Sequence, residues 1–190
     1  MSTTTYHTSV LLNECIEGLA INPQGIYVDV TFGGGGHSKE ILKHLGPEGR
    51  LIAFDQDPDA WKEAEKIDDP RLTLITANFR HLDKYLRLEG IKKVDGILAD
   101  FGVSSYQLDA PERGFSTRFD GPLDMRMGPS ASLDARSVLN TYSAEQLQKI
   151  LGMYGEVKNA KTLALAIIQA RTQKPLETTS EFKEILFKLA

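Results

Sequence analysis

The sequence predicts an α/β fold, with a parallel sheet covered by helices on both faces and then a stretch built of helices alone. Three observations carry this. Short apolar, β-rich runs alternate with amphipathic runs through the first hundred residues. The first of the β-rich runs ends in four consecutive glycines, Gly33 to Gly36. Beyond residue 102 the strand signal disappears. Repeated β-α units with short apolar strands imply parallel pairing with helices on both sides.

In chain order, residues 26–32 read as the first strand. Residues 37–45 read as a helix with Ile41, Leu42 and Leu45 on one face. Gly46-Pro47-Glu48-Gly49 is a turn. A second strand spans 50–57, and a helix follows over 58–66 with Pro58 in its first turn. The third strand is 72–77, the next helix 82–88, closed by Gly90, and the fourth strand 94–101. Residues 1–102 thus form one core. Residues 103–132 are an irregular strip rich in Gly, Pro, Ser, Asp and Arg, and so long a stretch without period is usually functional. Residues 133–190 form a helical segment, with helices expected over 144–152, 157–171 and 180–190, the last capped by Thr179 or Ser180.

Composition narrows the class. Of the 190 residues, 41% are hydrophobic and 25% charged, a globular balance that excludes disordered and fibrous classes. No apolar run approaches the roughly 18 residues of a membrane span. Residues 1–5 are polar, so export is not expected. Cys15 is the only cysteine and cannot form an intrachain disulfide, which suits a reducing cytoplasm. His7, His44 and His81 show no ligand spacing, so no metal is expected. The net charge of −4 is unlike a nucleic-acid binder, but it is uneven. Residues 1–102 carry 11 Lys/Arg against 16 Asp/Glu, and residues 103–190 carry 11 against 10. A local basic surface in the second part can still hold phosphate, although solvated helix faces explain the same counts.

The glycine loop is the centre of the functional reading. In Asp29-Val30-Thr31-Phe32-Gly33-Gly34-Gly35-Gly36-His37 a strand gives way to a helix. Glycines let the backbone turn sharply and approach a ligand, and the helix start behind them offers free N–H groups. Asp55 lies 20 residues after Gly35, at the end of the second strand, where an acid accepts the hydroxyls of a ribose. An adenosine-containing cofactor follows. A dinucleotide fingerprint needs a third glycine or alanine, and Ser38 or Lys39 stands there instead. Asp29, just before the loop, suits a cationic amino-acid moiety and repels a pyrophosphate. S-adenosylmethionine (SAM) has such a moiety and no phosphate. Asn78 and Phe79 after the third strand offer an amide for the adenine edge and a ring for its face. His37 either donates to the cofactor carboxylate or merely caps the helix. Asp100, at the end of the fourth strand, either orients an exocyclic amino group as the candidate catalytic residue or holds the SAM amino group.

Longer strings add a resemblance. Val103-Ser104-Ser105-Tyr106-Gln107-Leu108-Asp109, Arg113-Gly114-Phe115-Ser116 and Leu123-Asp124-Met125-Arg126-Met127 stand in the strip. His7-Thr8-Ser9-Val10-Leu11-Leu12-Asn13-Glu14 precedes the glycine loop, and Tyr154-Gly155-Glu156 lies between the later helices. With 33–38, these strings resemble the bacterial small-subunit (16S) ribosomal RNA cytosine-N4 methyltransferases, over their N-terminal two-thirds. The resemblance implies a Rossmann-like SAM-dependent methyltransferase sheet, of which the first four strands are here, followed by a helical insert domain. It implies methyl transfer to the N4 of a cytosine in small-subunit ribosomal RNA. It places cofactor contacts on Gly35, Gly36, His37, Asp55, Phe79, Asp100 and Gln107, beside Asp29 and Gly33 from the residue chemistry. Arg113, Arg118, Arg126 and Phe115 are candidates for holding phosphates and stacking a base, or for pinning the strip to the core. Phe101 is bulkier than the aliphatic residue the pattern carries.

Family members continue well past residue 190, returning to the sheet. The alternative function is therefore a SAM-binding fragment without turnover. The fourth strand, patterned for burial on both faces, is then expected to self-associate through 94–101, since an unpaired apolar edge recruits other chains. A nicotinamide dehydrogenase is disfavoured by the missing third glycine.

Overall fold

The computed structural model describes residues 9–189. The chain divides into two compact units, Met1–Gly102 and Val103–Ala190.

Along the first unit comes α1 (Leu12–Leu19), whose half-buried Leu12, Cys15, Ile16 and Leu19 follow the i, i+3, i+4, i+7 spacing of an amphipathic helix. The sequence reading had this segment only as a motif, yet the periodicity of a helix is there. Then come β1 (Ile26–Asp29), α2 (Gly36–His44), β2 (Arg50–Phe54), α3 (Pro58–Ala64), β3 (Leu72–Ile75), a single 3-10 turn over Phe79–His81, α4 (Leu82–Leu88) and β4 (Gly96–Leu98). All strand pairs are parallel, in the order β3-β2-β1-β4. This is the expected α/β architecture.

Side-chain alternation sorts the sheet into two faces. Tyr27, Leu51 and Leu98 pack with Ile41, Leu42 and Leu45 of α2 and with Cys15, Ile16 and Leu19 of α1. Val28, Ile52, Phe54 and Ile75 pack on the opposite face with Leu82, Tyr85 and Leu86 of α4. Phe32, Ala53, Ala60 and Ala64 join α3 to the first face.

Every strand is shorter than its apolar run suggests. The first stops at Asp29 because that side chain accepts the N–H of Thr31 (3.0 Å) and turns the chain. The fourth differs most. It pairs with β1 alone among the described residues, and its face opposite Leu98 is open, leaving Ile97 50% exposed and Phe101 71% exposed. Burial on both faces was expected. A run of apolar residues reports what a strand can pack against, and here half of Ile97 is left to solvent.

The second unit holds α5 (Ser105–Asp109), a 3-10 turn over Pro111–Arg113, α6 (Ala135–Thr141), α7 (Ala144–Met153), α8 (Ala160–Gln173) and α9 (Thr179–Phe187). Leu139, Leu147, Leu163, Ile167, Leu176 and Ile185 form its core, joined by Leu123 from the strip. Capping boxes at Ser104, Ser143 and Thr178 start three of these helices. The strip is therefore less irregular than its composition suggests. Leu123 donates to the Glu177 carbonyl (3.0 Å) and accepts from the Arg136 N–H (2.6 Å), and Pro122 bridges to Thr178. No helix among the described residues is long and apolar enough to cross a membrane.

Candidate functional site

The C-terminal ends of the four parallel strands bring Gly33, Asp55, Phe79 and Asp100 to one edge of the sheet. The glycine loop leaves β1 and enters α2. Gly35 holds φ +74°, and a Cβ there would meet the Phe32 ring at 2.7 Å. At Gly36 a Cβ would collide with Ser9 at 2.0 Å. The chain's own packing thus demands these two glycines, and a ligand would meet their backbone. Gly34 faces open space.

Beneath the loop lies Asp29, fully buried. Its carboxylate accepts from the Ser38 hydroxyl (2.7 Å), from the Thr31 amide (3.0 Å) and from the Thr31 hydroxyl (3.4 Å). Burial pushes its pKa up, and these hydrogen bonds oppose the shift. Its oxygens thus hold the first turn of α2 and the turn after β1. His37 is also buried, with Nε2 3.1 Å from the Val10 carbonyl, so its ring is committed to the segment ahead of α1. Thr31 and Ser38 are the members of this network that sequence reasoning missed. Ser38 had registered only as the wrong residue for a dinucleotide fingerprint.

Asp55 is aimed differently. Oδ2 accepts the Gly33 N–H (2.8 Å) and Oδ1 accepts the Asp57 N–H (2.9 Å). Burial raises its pKa above the ordinary carboxylate value, with the backbone N–H groups of Asp57 and Gly33 pulling the other way. The Gln56 backbone N–H also bonds to this carboxylate, and with about four lone-pair sites a carboxylate keeps capacity for a further donor. Trp61 fixes the backbone here, its Nε1–H donating to the Asp55 carbonyl (3.0 Å).

Asn78 does not offer a loose amide. Oδ1 caps the following turn through the Arg80 N–H (2.9 Å), and Nδ2 donates to Gln56 (3.1 Å). That fixes the backbone at Phe79, whose ring is 40% exposed. Asp100 is exposed, and its N–H donates to the Thr31 hydroxyl (2.8 Å). Thr31 therefore links the buried Asp29 to the backbone of Asp100.

The remaining candidates lie in the second unit. Gln107 is buried, with Oε1 accepting the Ser104 N–H (3.0 Å) and Nε2 3.4 Å from the Met127 sulfur. It closes the capping box at the start of α5. Arg126 grips Asp124 through two nitrogens, and this pairing holds the Asp124 carboxyl below its ordinary range. Arg113 donates to the Arg126 carbonyl (3.0 Å) and lies over the half-buried Phe115 ring at 5.9 Å. Arg118 pairs with Asp109 (2.6 Å) but stays 58% exposed. Ion pairs and rings thus knit the strip together within its own unit. Among the described residues, no cluster of His, Cys, Asp or Glu is arranged to hold a metal.

Comparison with known proteins bears on this arrangement. The model of the MraW methylase family matches residues 4–190. The chain belongs to the MraW methylase family. Family membership agrees with the resemblance read from the motif strings. Similar relatives carry the name ribosomal RNA small subunit methyltransferase H. That of Cytophaga hutchinsonii is 60% identical over 181 residues, covering 95% of this chain and 60% of the relative. That of Flavobacterium johnsoniae is 57% identical over 187 residues, covering 98% and 61%. A Bacteroides fragilis relative is 54% identical over 183 residues, covering 96% and 60%. The chain thus spans about 60% of the length of these relatives. A solved protein-L-isoaspartate O-methyltransferase overlaps 54% of this chain and 33% of its own, at 14% identity and a TM-score of 0.42, too slight a likeness to argue from.

Proposed function

We propose that this chain carries the cofactor side of a SAM-dependent methyl transfer to the N4 amino group of a cytosine in small-subunit ribosomal RNA, acting in the cytoplasm. The observation that carries the reading is Asp55. A half-buried carboxylate at a strand's end, beside a glycine loop and with acceptor capacity left, suits the hydroxyl donors of a ribose. The Phe79 ring supplies a face for adenine, and the backbone of 33–36 lies against the remainder of the cofactor. Asp29 and His37 act from behind, holding the start of α2 and the segment ahead of α1. Gln107 acts in the same indirect way in the strip. The relatives' names supply the RNA class, and the cytosine N4 target comes from the motif resemblance.

When bound, SAM supplies an electrophilic methyl group on a sulfonium. The protein's own part is to orient the acceptor. Asp100, exposed at a strand end and fixed through its backbone, accepts a hydrogen bond from the exocyclic amine and keeps the nitrogen lone pair directed at the methyl. The experiment is calorimetry with S-adenosylhomocysteine, followed by tritium transfer from methyl-labelled SAM to small ribosomal subunits. Binding is expected, with label appearing in N4-methylcytidine. No binding of either adenosyl ligand would overturn the cofactor reading, and label in another nucleoside would overturn the target. A second reading, cofactor binding without turnover, draws on β4 having one paired edge among the described residues. Binding with no transfer in a single-turnover assay would favour it.

A further inference from the structure

The strand order places β3 and β4 on opposite edges of the sheet, three strand spacings or about 14 Å apart. Yet the rings that follow them, Phe79 and Phe101, stand with centroids 5.6 Å apart and planes tilted by 35°. The two loops therefore lean toward each other over the ends of β2 and β1. Both rings remain open to solvent, Phe79 at 40% and Phe101 at 71%. Both are attached to fixed backbone. The Asn78 cap holds the turn that carries Phe79, and the bond from the Asp100 N–H to Thr31 holds the residue before Phe101. Asp55 lies on β2's end, between the two loops in strand order.

Two exposed rings meeting across a parallel sheet bury little of each other's surface, so mutual cover is a weak reason for them. Their place suits a flat guest. We propose that Phe101 is a second adenine-binding residue, facing Phe79 so that the purine is held between the two rings; this rests on the reading of Phe79 and Asp55 as cofactor contacts. A purine between two rings at stacking contact needs about 7 Å between their planes, twice the optimal carbon–carbon separation. The present spacing reaches that with a small rotation of Phe101, the more exposed ring, and exposed side chains change rotamer on the ps–ns scale. The slot selects for a planar aromatic base and places the ribose toward Asp55.

The test is calorimetric binding of S-adenosylhomocysteine and of 5′-deoxy-5′-methylthioadenosine to the protein. Phe101→Ala should weaken both ligands about 3- to 10-fold, the scale of one aromatic stack. Phe101→Tyr should restore affinity and Phe101→Leu should not, whereas an apolar cover would be served equally by Leu. The effects of Phe79→Ala and Phe101→Ala should be non-additive, because both rings hold one base. With Phe101 71% exposed, Tm should barely move, which separates binding from folding. If Phe79→Ala weakens binding and Phe101→Ala does not, the second ring is wrong and the cofactor site stands. If neither matters and Asp55→Asn is also silent, the cofactor reading itself falls.

Discussion

Asp55 concentrates two demands in one carboxylate. It must stay ionised to accept two hydroxyls, while its partial burial favours the protonated form. Its pKa in the free protein lies above the ordinary value of 3.8. Ligand hydroxyls favour the ionised form, so binding lowers that pKa. Affinity for S-adenosylhomocysteine should therefore be constant at neutral pH and fall as pH drops through the raised value. Asp57 is the near charge that contributes to the shift, and its repulsion acts in the same direction as burial. Asp55→Ala should cost about 1–3 kcal/mol of binding at neutral pH. The acid limb should disappear with it. A titration by calorimetry between pH 4 and pH 8 checks both, and a variant with unchanged affinity would remove Asp55 from the site. Asp55 was legible in the sequence because an acid at a strand's end beside a glycine loop has few other uses. Asp29 looked equally exposed to a ligand on paper. Sequence does not report that Ser38 and Thr31 would turn its oxygens inward.

The same network shows how one element is held to another. Ser38 in the first turn of α2 donates to the Asp29 carboxylate at the end of β1 across 2.7 Å, with both side chains fully buried. Ser38→Ala leaves that carboxylate one partner short and should cost about 1–3 kcal/mol of stability, because a buried acceptor loses its donor without regaining water. For a chain of this size that is roughly 2–12 °C in Tm. An unchanged Tm would mean that the Thr31 contacts suffice. Strand and helix order were readable from periodicity, but element ends were not. They were set by side chains that bond back to the backbone, as Asp29 does at the end of β1 and Ser104, Asp134 and Thr178 do ahead of α5, α6 and α9. The short helices α5 and α6 escaped notice because five to seven residues give too few turns for a period, although each has a cap residue that could have announced it. At β4 the sequence pattern was read as burial on two faces, and the half-exposed Ile97 corrects it. That strand has one paired edge among the described residues. The 190-residue chain should therefore associate with rising concentration, and Ile97→Lys should suppress this, charge being a common guard on edge strands. Sedimentation velocity reads the result, and a monomer at all concentrations would count against it.

Across the whole molecule, charge and packing divide along the same line as the compact units. The part before residue 103 is net negative by five and the part after it is net positive by one. On this division, phosphate contact is expected from the second unit rather than the first. The sequence pointed there to the arginines of the strip, but Arg126 is clamped by Asp124 and Arg113 is bonded to the Arg126 carbonyl. Such groups hold a loop more readily than they recruit RNA, because a phosphate would have to replace a partner already in place. The lysines of α7 and α8 and of the turn between them are better placed. Lys149, Lys158 and Lys161 are all exposed, the first and last on helices whose apolar sides pack in the unit's core and Lys158 in the turn between them. Each phosphate contact contributes about 0.7 to the slope of log affinity against log salt for single-stranded RNA. Replacing all three lysines by Ala should thus flatten that slope by about two for small-subunit RNA. Affinity for S-adenosylhomocysteine should not change, since none of the three lies in the first unit. Lys92→Ala with Lys93→Ala, on the acidic unit, is the matched control and should leave the slope alone. Filter binding over a range of salt concentrations gives the slopes. An unaltered slope in the triple variant, or an equal change in the control, would show that phosphate contact does not follow this division of charge.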